Sequence, residues 1–210
     1  MESKSIKILN NTKRYGYYAI KDIPADTIIL IENAAVHLYN TRKYHRMLQI
    51  IYKIVFESSN KIKEKFMNLL PSEIKNSNFL NYDVLRNDIM CIKDEEIKNK
   101  LLSINPKDLL LYSMKYASNA FGTDEPLLLF KGAMFNHSCI PNVKFIQDKN
   151  TMYFVTLRNI KLGEELFIYY GTMKISKKEQ QKKLLNQYGF KCHCEKCSNS
   201  ISNSNHIKTY

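Results

Sequence analysis

Asn136-His137-Ser138-Cys139-Ile140-Pro141-Asn142 is the stretch on which the fold turns. Read alone, it offers a thiol and an imidazole. Residues two apart on one strand project in the same direction, but a strand reading leaves the pair lined up along one face and not converging, and a Cys–His nucleophile pair needs both groups within hydrogen-bond reach. A thiol hydrolase is therefore a weak reading. Two further stretches follow in order. Gly163-Glu164-Glu165-Leu166-Phe167-Ile168-Tyr169-Tyr170-Gly171 comes first, then Tyr188-Gly189-Phe190-Lys191-Cys192-His193-Cys194-Glu195-Lys196-Cys197.

Cys192, Cys194 and Cys197 form C-x-C-x-x-C. Thiols this close cannot all pair with one another without strain, but their sulfurs can converge on one soft cation. A structural zinc site needs four ligands. Cys91 and Cys139 are the other cysteines, and His193 lies inside the cluster. A trio of exposed free thiols at this spacing would be an oxidation liability, which favours a metal.

Upstream, residues 1 to about 39 read as β, with Tyr15–Asp22 and Thr27–Leu38 as strands around the Pro24-Ala25-Asp26 turn. From about Thr41, Tyr44, Met47, Leu48, Ile51 and Val55 fall on one helical face. Ile62, Phe66, Leu69 and Leu70 give a second helix stopped by Pro71. Ile97, Leu101, Leu102 and Ile104 give another. Asn105 reads as an N-cap with Pro106 at the first helical position, opening a helix toward Ala120. Then β returns: Val143–Phe145 and Tyr153–Leu157 flank an Asp148-Lys149-Asn150 turn, and Leu166–Tyr170 is a short strand. Ser176 and Glu179 form a capping box for a helix over Lys177–Tyr188. The order is β, helical insert, β, helix, metal knuckle, an expected mostly β fold with an α insert (α+β). Cys91 has no motif and reads as a buried small hydrophobe.

The chain has 210 residues, with 44% hydrophobic and 25% charged. That suits one globular domain carrying an insertion. No apolar run reaches 18 residues and no secretory signal is visible, so a thiol-reducing setting, nucleus or cytoplasm, and no membrane are expected. The net charge of +12 permits nucleic acid or an acidic protein surface as partner. The knuckle, however, carries only Lys191 and Lys196, too few for a nucleic-acid footprint. A monomer is expected.

Taken in order, the three motifs resemble the SET-domain protein lysine methyltransferases, most closely the SMYD branch, without its MYND finger. The resemblance implies a SET fold of small sheets with a pseudoknot over residues 1–171, its helical insert at about 41–118. A post-SET helix and zinc knuckle would follow at 172–198, then a polar tail without structure at 199–210. It implies transfer of a methyl group from S-adenosylmethionine to protein lysines, histone or non-histone. By resemblance, Tyr170 is the active-site tyrosine. The cofactor residues would be Lys13, Tyr15, Gly16 and Tyr17 in the N-terminal loop, then Asn119, Asn136, His137, Tyr170 and Phe190. Cys139 would complete a structural zinc site with Cys192, Cys194 and Cys197.

Each residue alone has an ordinary reading. Asn136 suits a turn, His137, Tyr170 and Phe190 suit a core, and Asn119 suits a helix C-cap. Arg14 and Tyr15 stand where the family loop usually has its first glycine and the neighbouring residue. A second function is therefore carried along: a catalytically weak SET and zinc module that binds protein or nucleic acid. Acidic residues of the insert that could meet a basic substrate are Asp83, Asp88, Asp94, Glu95 and Glu96.

Overall fold

The computed structural model describes residues 3–11, 14–36, 38, 46–74, 80–122, 125–171 and 175–202. In chain order the strands and helices begin with β1 (Ile6–Asn11), β2 (Arg14–Ala19), β3 (Ile28–Asn33) and α1 (Arg46–Tyr52). They continue with α2 (Asn60–Met67), α3 (Tyr82–Met90), α4 (Glu95–Leu102), α5 (Pro106–Asn119), β4 (Ala120–Phe121) and β5 (Leu127–Leu128). The last are β6 (Asn136–His137), β7 (Val143–Asp148), β8 (Thr151–Thr156), β9 (Phe167–Ile168), α6 (Lys177–Lys183) and α7 (Glu195–Ser202). The described residues are thus a mixture of helices and small sheets, the expected α+β arrangement of small sheets with a helical insert.

The chain divides into two units. The first comprises Met1–Glu32, Met134–Leu185 and Gly189–Tyr210; the second comprises Asn33–Ala133 with Asn186–Tyr188. The inserted unit is therefore longer at both ends than the apolar periodicity implied. Its expected start near Thr41, and Tyr44 of the first helical stripe, lie outside the described residues.

In the first unit, β1 and β2 pair antiparallel, with Leu9 opposite Gly16. A three-stranded sheet runs β3-β8-β7. The β7–β8 hairpin turns as expected at Asp148-Lys149-Asn150, with Lys149 left-handed at φ 50°. The third element pair decides the site. β6 and β9, about thirty residues apart in sequence, lie side by side in parallel, with Asn136 opposite Phe167 and His137 opposite Ile168. Asn142 fastens this arrangement. Its side chain donates to the Glu165 carbonyl at 2.8 Å and accepts from the Phe167 N–H at 2.7 Å. Beneath the strands, the Phe135 ring stacks on Phe154 at 4.8 Å and meets Tyr17 at 4.5 Å, all three fully buried. Removing one ring here leaves a void that the stacked neighbours cannot fill. Phe154→Ala is expected to destabilise the fold by about 3–5 kcal/mol, read from the denaturant midpoint; an unshifted midpoint would show that this aromatic core is not what holds the sheet.

α6 opens as its sequence predicts. Ser176 accepts from the Glu179 N–H while the Glu179 carboxylate accepts from the Ser176 N–H. After Lys183 the helix widens into a π-helical turn, Leu184–Tyr188, which ends on left-handed Gly189 at φ 76°. α7 carries helical backbone through Ser202, past residue 199 where the polar tail was expected to begin; residues 203–210 lie outside the described ones.

The second unit is helical. Leu48, Ile51, Leu85, Ile89, Leu101 and Leu109 interlock from α1, α3, α4 and α5. A second cluster gathers Ile50, Ile54, Phe66, Tyr116 and Leu128. Asn105 caps α5 by accepting from the Lys107 N–H, with Pro106 at the helix start. α3 had no counterpart in the sequence reading. Cys91, expected to be buried, is exposed. It sits at the C-terminal end of α3, where position on the helix outweighs the usual tendency of a thiol to be buried. Of the acidic residues, Asp94 caps α4, while Glu95 and Glu96 pair with Lys98 and Lys100 within that helix. Among the described residues no helix is long and apolar enough to cross a membrane.

Candidate functional site

Cys139 comes together with the three cysteines that lie 53 to 58 residues further on. Cys139 Sγ lies 3.8 Å from Cys192 Sγ and 3.6 Å from Cys197 Sγ. All four sulfurs, Cys194 included, lie within 4.8 Å of one another. None is in a disulfide. Sulfurs bonded tetrahedrally to zinc at about 2.3 Å sit about 3.8 Å apart, so this donor set fits a four-thiolate zinc ion. Three of the sulfurs also face an N–H. Cys139 meets His137 Nε2 at 3.4 Å, a correction to the expectation that this pair would not converge; Cys197 meets Gln181 Nε2 at 3.2 Å, and Cys192 meets the Cys194 N–H at 3.5 Å. Such donors favour thiolates. Burial opposes them, pushing the Cys139 and Cys192 thiols up. A divalent cation reverses that balance and holds the thiolate form.

Gln181 does more than face a sulfur. Its amide closes a reciprocal pair with the Cys192 backbone, accepting from the N–H at 3.0 Å and donating to the carbonyl at 3.0 Å. The knuckle is thereby fixed to α6.

Around His137 the aromatic residues collect. Its ring lies 5.3 Å from both Tyr169 and Tyr170 and 6.2 Å from Phe190. Tyr170 and Phe190 meet edge to face at 6.4 Å. Burial pushes the His137 pKa down to about 4, so the ring is neutral at physiological pH. Nδ1 accepts the Tyr170 N–H at 2.9 Å, which puts the ring proton on Nε2, facing Cys139. The Tyr170 hydroxyl donates to the Phe135 carbonyl at 2.5 Å. Gln180, almost wholly buried, donates to the Tyr170 carbonyl at 2.9 Å.

Asn136 forms the other flank. Its Nδ2 donates to the Tyr15 carbonyl at 2.9 Å and to Glu165 Oε1 at 2.7 Å. Glu165 Oε2 in turn accepts from the Tyr18 hydroxyl at 3.1 Å. Gly16 sits against this network. A Cβ there would lie 2.6 Å from Asn136 Nδ2 and 2.8 Å from Glu165 Oε1, closer than any side chain tolerates.

The first unit thus assembles Tyr15, Gly16, Asn136, His137, Tyr170, Phe190 and the four cysteines. Tyr15 is exposed, whereas Tyr17 is fully buried in the core against Phe135. Lys13 lies outside the described residues. Asn119 belongs to the second unit, at the end of α5. There its Nδ2 donates to the Leu70 carbonyl at 2.6 Å and the Lys115 carbonyl at 2.7 Å. One turn earlier, buried Lys115 donates to the carbonyls of Met67 and Leu69. The pair closes the end of α2, and burial holds the Lys115 amine below its ordinary pKa. Three residues to which the sequence assigns no role contact these groups: Glu165, Gln180 and Gln181. Glu165 stood inside a quoted motif. The two glutamines carried no signal beyond their place in the helix after it.

Residues 14–171 match the SET domain family model. A SET domain-containing protein of Acanthamoeba polyphaga mimivirus is 36% identical over 209 residues, covering 95% of this chain and 79% of that protein. Histone-lysine N-methyltransferase set5 of Schizosaccharomyces pombe is 34% identical over 112 residues, 50% of this chain and 34% of its own length. Histone-lysine N-methyltransferase SMYD3 of Homo sapiens is 37% identical over 65 residues, covering 31% of this chain and 15% of SMYD3. The chain therefore spans a minor part of both named methyltransferases. Among solved structures, the SET domain of LSMT bound to lysine and AdoHcy aligns with a TM-score of 0.64 at 15% identity. It covers 91% of this chain and 54% of that one, a likeness of fold.

Proposed function

Because this chain belongs to the SET-domain family, we propose that it is an S-adenosylmethionine-dependent protein-lysine N-methyltransferase with a structural zinc ion. The observation that carries the reading is that His137 and Phe190 meet Tyr170, whose hydroxyl proton is already engaged, while Asn136, next to His137 in the chain, holds the loop at Gly16.

S-adenosylmethionine, when bound, supplies an electrophilic methyl group on a sulfonium. The residues here suit it. Both Nδ2 protons of Asn136 are used within the protein, which leaves Oδ1 to accept from a ligand ammonium. Phe190 offers an aromatic face beside His137. Gly16 keeps the loop backbone against Asn136 where a side chain would intrude.

The incoming amine must be neutral to attack. A lysine with pKa about 10.4 pays roughly 4.6 kcal/mol for deprotonation at pH 7. A nearby cationic sulfonium and loss of water both lower that pKa, so strong base chemistry is not required. What remains is orientation. The Tyr170 oxygen, its proton given to the Phe135 carbonyl, can accept an amine N–H and so direct the nitrogen lone pair. The carbonyl dipole of Phe135 lies against the same hydroxyl and favours positive charge developing nearby.

A protein lysine is the substrate, histone or non-histone. The net charge of +12 favours a lysine in an acidic surrounding over one in a basic tail. A nuclear or cytoplasmic setting, where thiols stay reduced, suits the cysteine cluster.

The test is incubation of the zinc-loaded chain with methyl-labelled cofactor and a protein array. Label recovered as methyl-lysine after hydrolysis supports the reading, and none at saturating cofactor overturns it. A separate result concerns the loop. Gly16→Ala forces apart two side chains held by their own hydrogen bonds, and is expected to weaken S-adenosylmethionine binding about tenfold, or about 1.4 kcal/mol. Calorimetry decides, and an unchanged Kd removes this loop from the cofactor site.

A further inference from the structure

We propose that His137 and Gln180 are positioning residues that make the placement of Tyr170 depend on the metal held by the cysteine cluster. The proposal rests on the reading of Tyr170 given above. The Tyr170 backbone is held at both ends by side chains: its N–H by His137 Nδ1 at 2.9 Å, its carbonyl by Gln180 Nε2 at 2.9 Å. Each clamp leads back to a sulfur. The far nitrogen of the same imidazole, Nε2, lies 3.4 Å from Cys139 Sγ. Gln181, the next residue to Gln180 on α6, lies 3.2 Å from Cys197 Sγ and pairs with the Cys192 backbone on both its amide atoms. His137 and Gln180 are both buried, so neither clamp competes with bulk water.

The consequence is mechanical. A backbone fixed on both sides leaves the tyrosine only its own side-chain torsions, which the Phe135 carbonyl then settles. The four sulfurs have no bond to one another, so a cation coordinated by all four is what fixes their spacing. Without the ion nothing bonds the sulfurs together, and both clamps lose the fixed points from which they act. The phenol then wanders relative to the amine it should orient, and displacements on the scale of an ångström are costly in rate. Outer partners of metal ligands carry effects of this kind elsewhere.

Three variants separate the two halves of the link. In His137→Asn the amide oxygen can replace Nδ1 as acceptor for Tyr170, while the arm toward Cys139 is lost. In His137→Gln a donor returns near the Nε2 position, while the acceptor for Tyr170 is lost. Gln180→Met keeps the volume and removes the donor to the Tyr170 carbonyl. The readouts are the thiolate-to-cobalt absorption band of the Co2+-substituted protein, zinc retention against a chelator, and kcat and KM measured separately.

Removing an N–H···S bond raises the donor level of the thiolate. His137→Asn should therefore shift the cobalt band to lower energy and weaken zinc retention about tenfold. His137→Gln should keep a band nearer the parent's yet lose more kcat than His137→Asn. Gln180→Met should lose kcat about tenfold with the parent's cobalt band and cofactor KM. Cobalt bands identical in all three variants and the parent overturn the link to sulfur. Losses of kcat that merely track melting temperature overturn the positioning role, leaving a structural one. A parent protein that transfers no methyl group defeats the proposed function instead, and the cobalt and zinc readouts still decide the His137–Cys139 contact.

Discussion

Tyr170→Phe is expected to lower kcat by about 100-fold or more while leaving the Kd for S-adenosylmethionine close to that of the parent. The substitution removes one oxygen. With it go the bond to the Phe135 carbonyl and the acceptor that would direct the amine lone pair. The ring remains, so its contacts with His137 and Phe190 persist. A loss confined to kcat therefore separates orientation of the nucleophile from assembly of the site. The check is a steady-state assay with the cofactor affinity measured independently. Equal turnover in mutant and parent would take Tyr170 out of the chemistry; a parallel loss of cofactor binding would recast it as a wall residue.

Stripping the metal should act more broadly. Chelation, or Cys139→Ser, is expected to abolish activity and to lower the melting temperature by about 10 °C or more. As the proposed fourth ligand, Cys139 would tie the terminal knuckle to the segment that follows the strand carrying Asn136 and His137. Its loss leaves three sulfurs within one short segment and no metal bridge from them to Cys139. A four-sulfur site has no open coordination position, so the loss of activity would come through structure and not through a missing reactant. Zinc content by mass spectrometry, melting by calorimetry and methyl transfer should fall together. Full activity and an unchanged melting temperature in metal-free protein would contradict the assignment.

The parts of this molecule written in short-range chemistry were legible in advance. Asn105 and Pro106 announce a helix start, and Ser176 with Glu179 another, because each cap is closed by residues two or three positions away. The Asp148-Lys149-Asn150 turn is read the same way. The metal ligands could be placed together only through likeness to a known family, since nothing local links Cys139 to a cluster more than fifty residues on. Gln180 and Gln181 escaped notice for a related reason. Their side chains act on Tyr170 and Cys192, ten and eleven residues away, through a helix whose orientation only the tertiary fold determines. Glu165 was visible as a letter of its motif, but its bond to Tyr18 crosses 147 residues. Cys91 was misjudged because a residue's average burial says little about one at the end of a helix.

That last long-range bond and its neighbours bear on how the molecule is made. Tyr18 waits for Glu165, Tyr15 for Asn136, and Cys139 for three partners that leave the ribosome still later. Contacts between such distant segments form slowly, because a long loop must close before any of them is rewarded. On the proposed reading, the methyl-transfer centre needs Cys197, so a half-made chain would carry no prematurely active site and zinc capture would come late in its maturation.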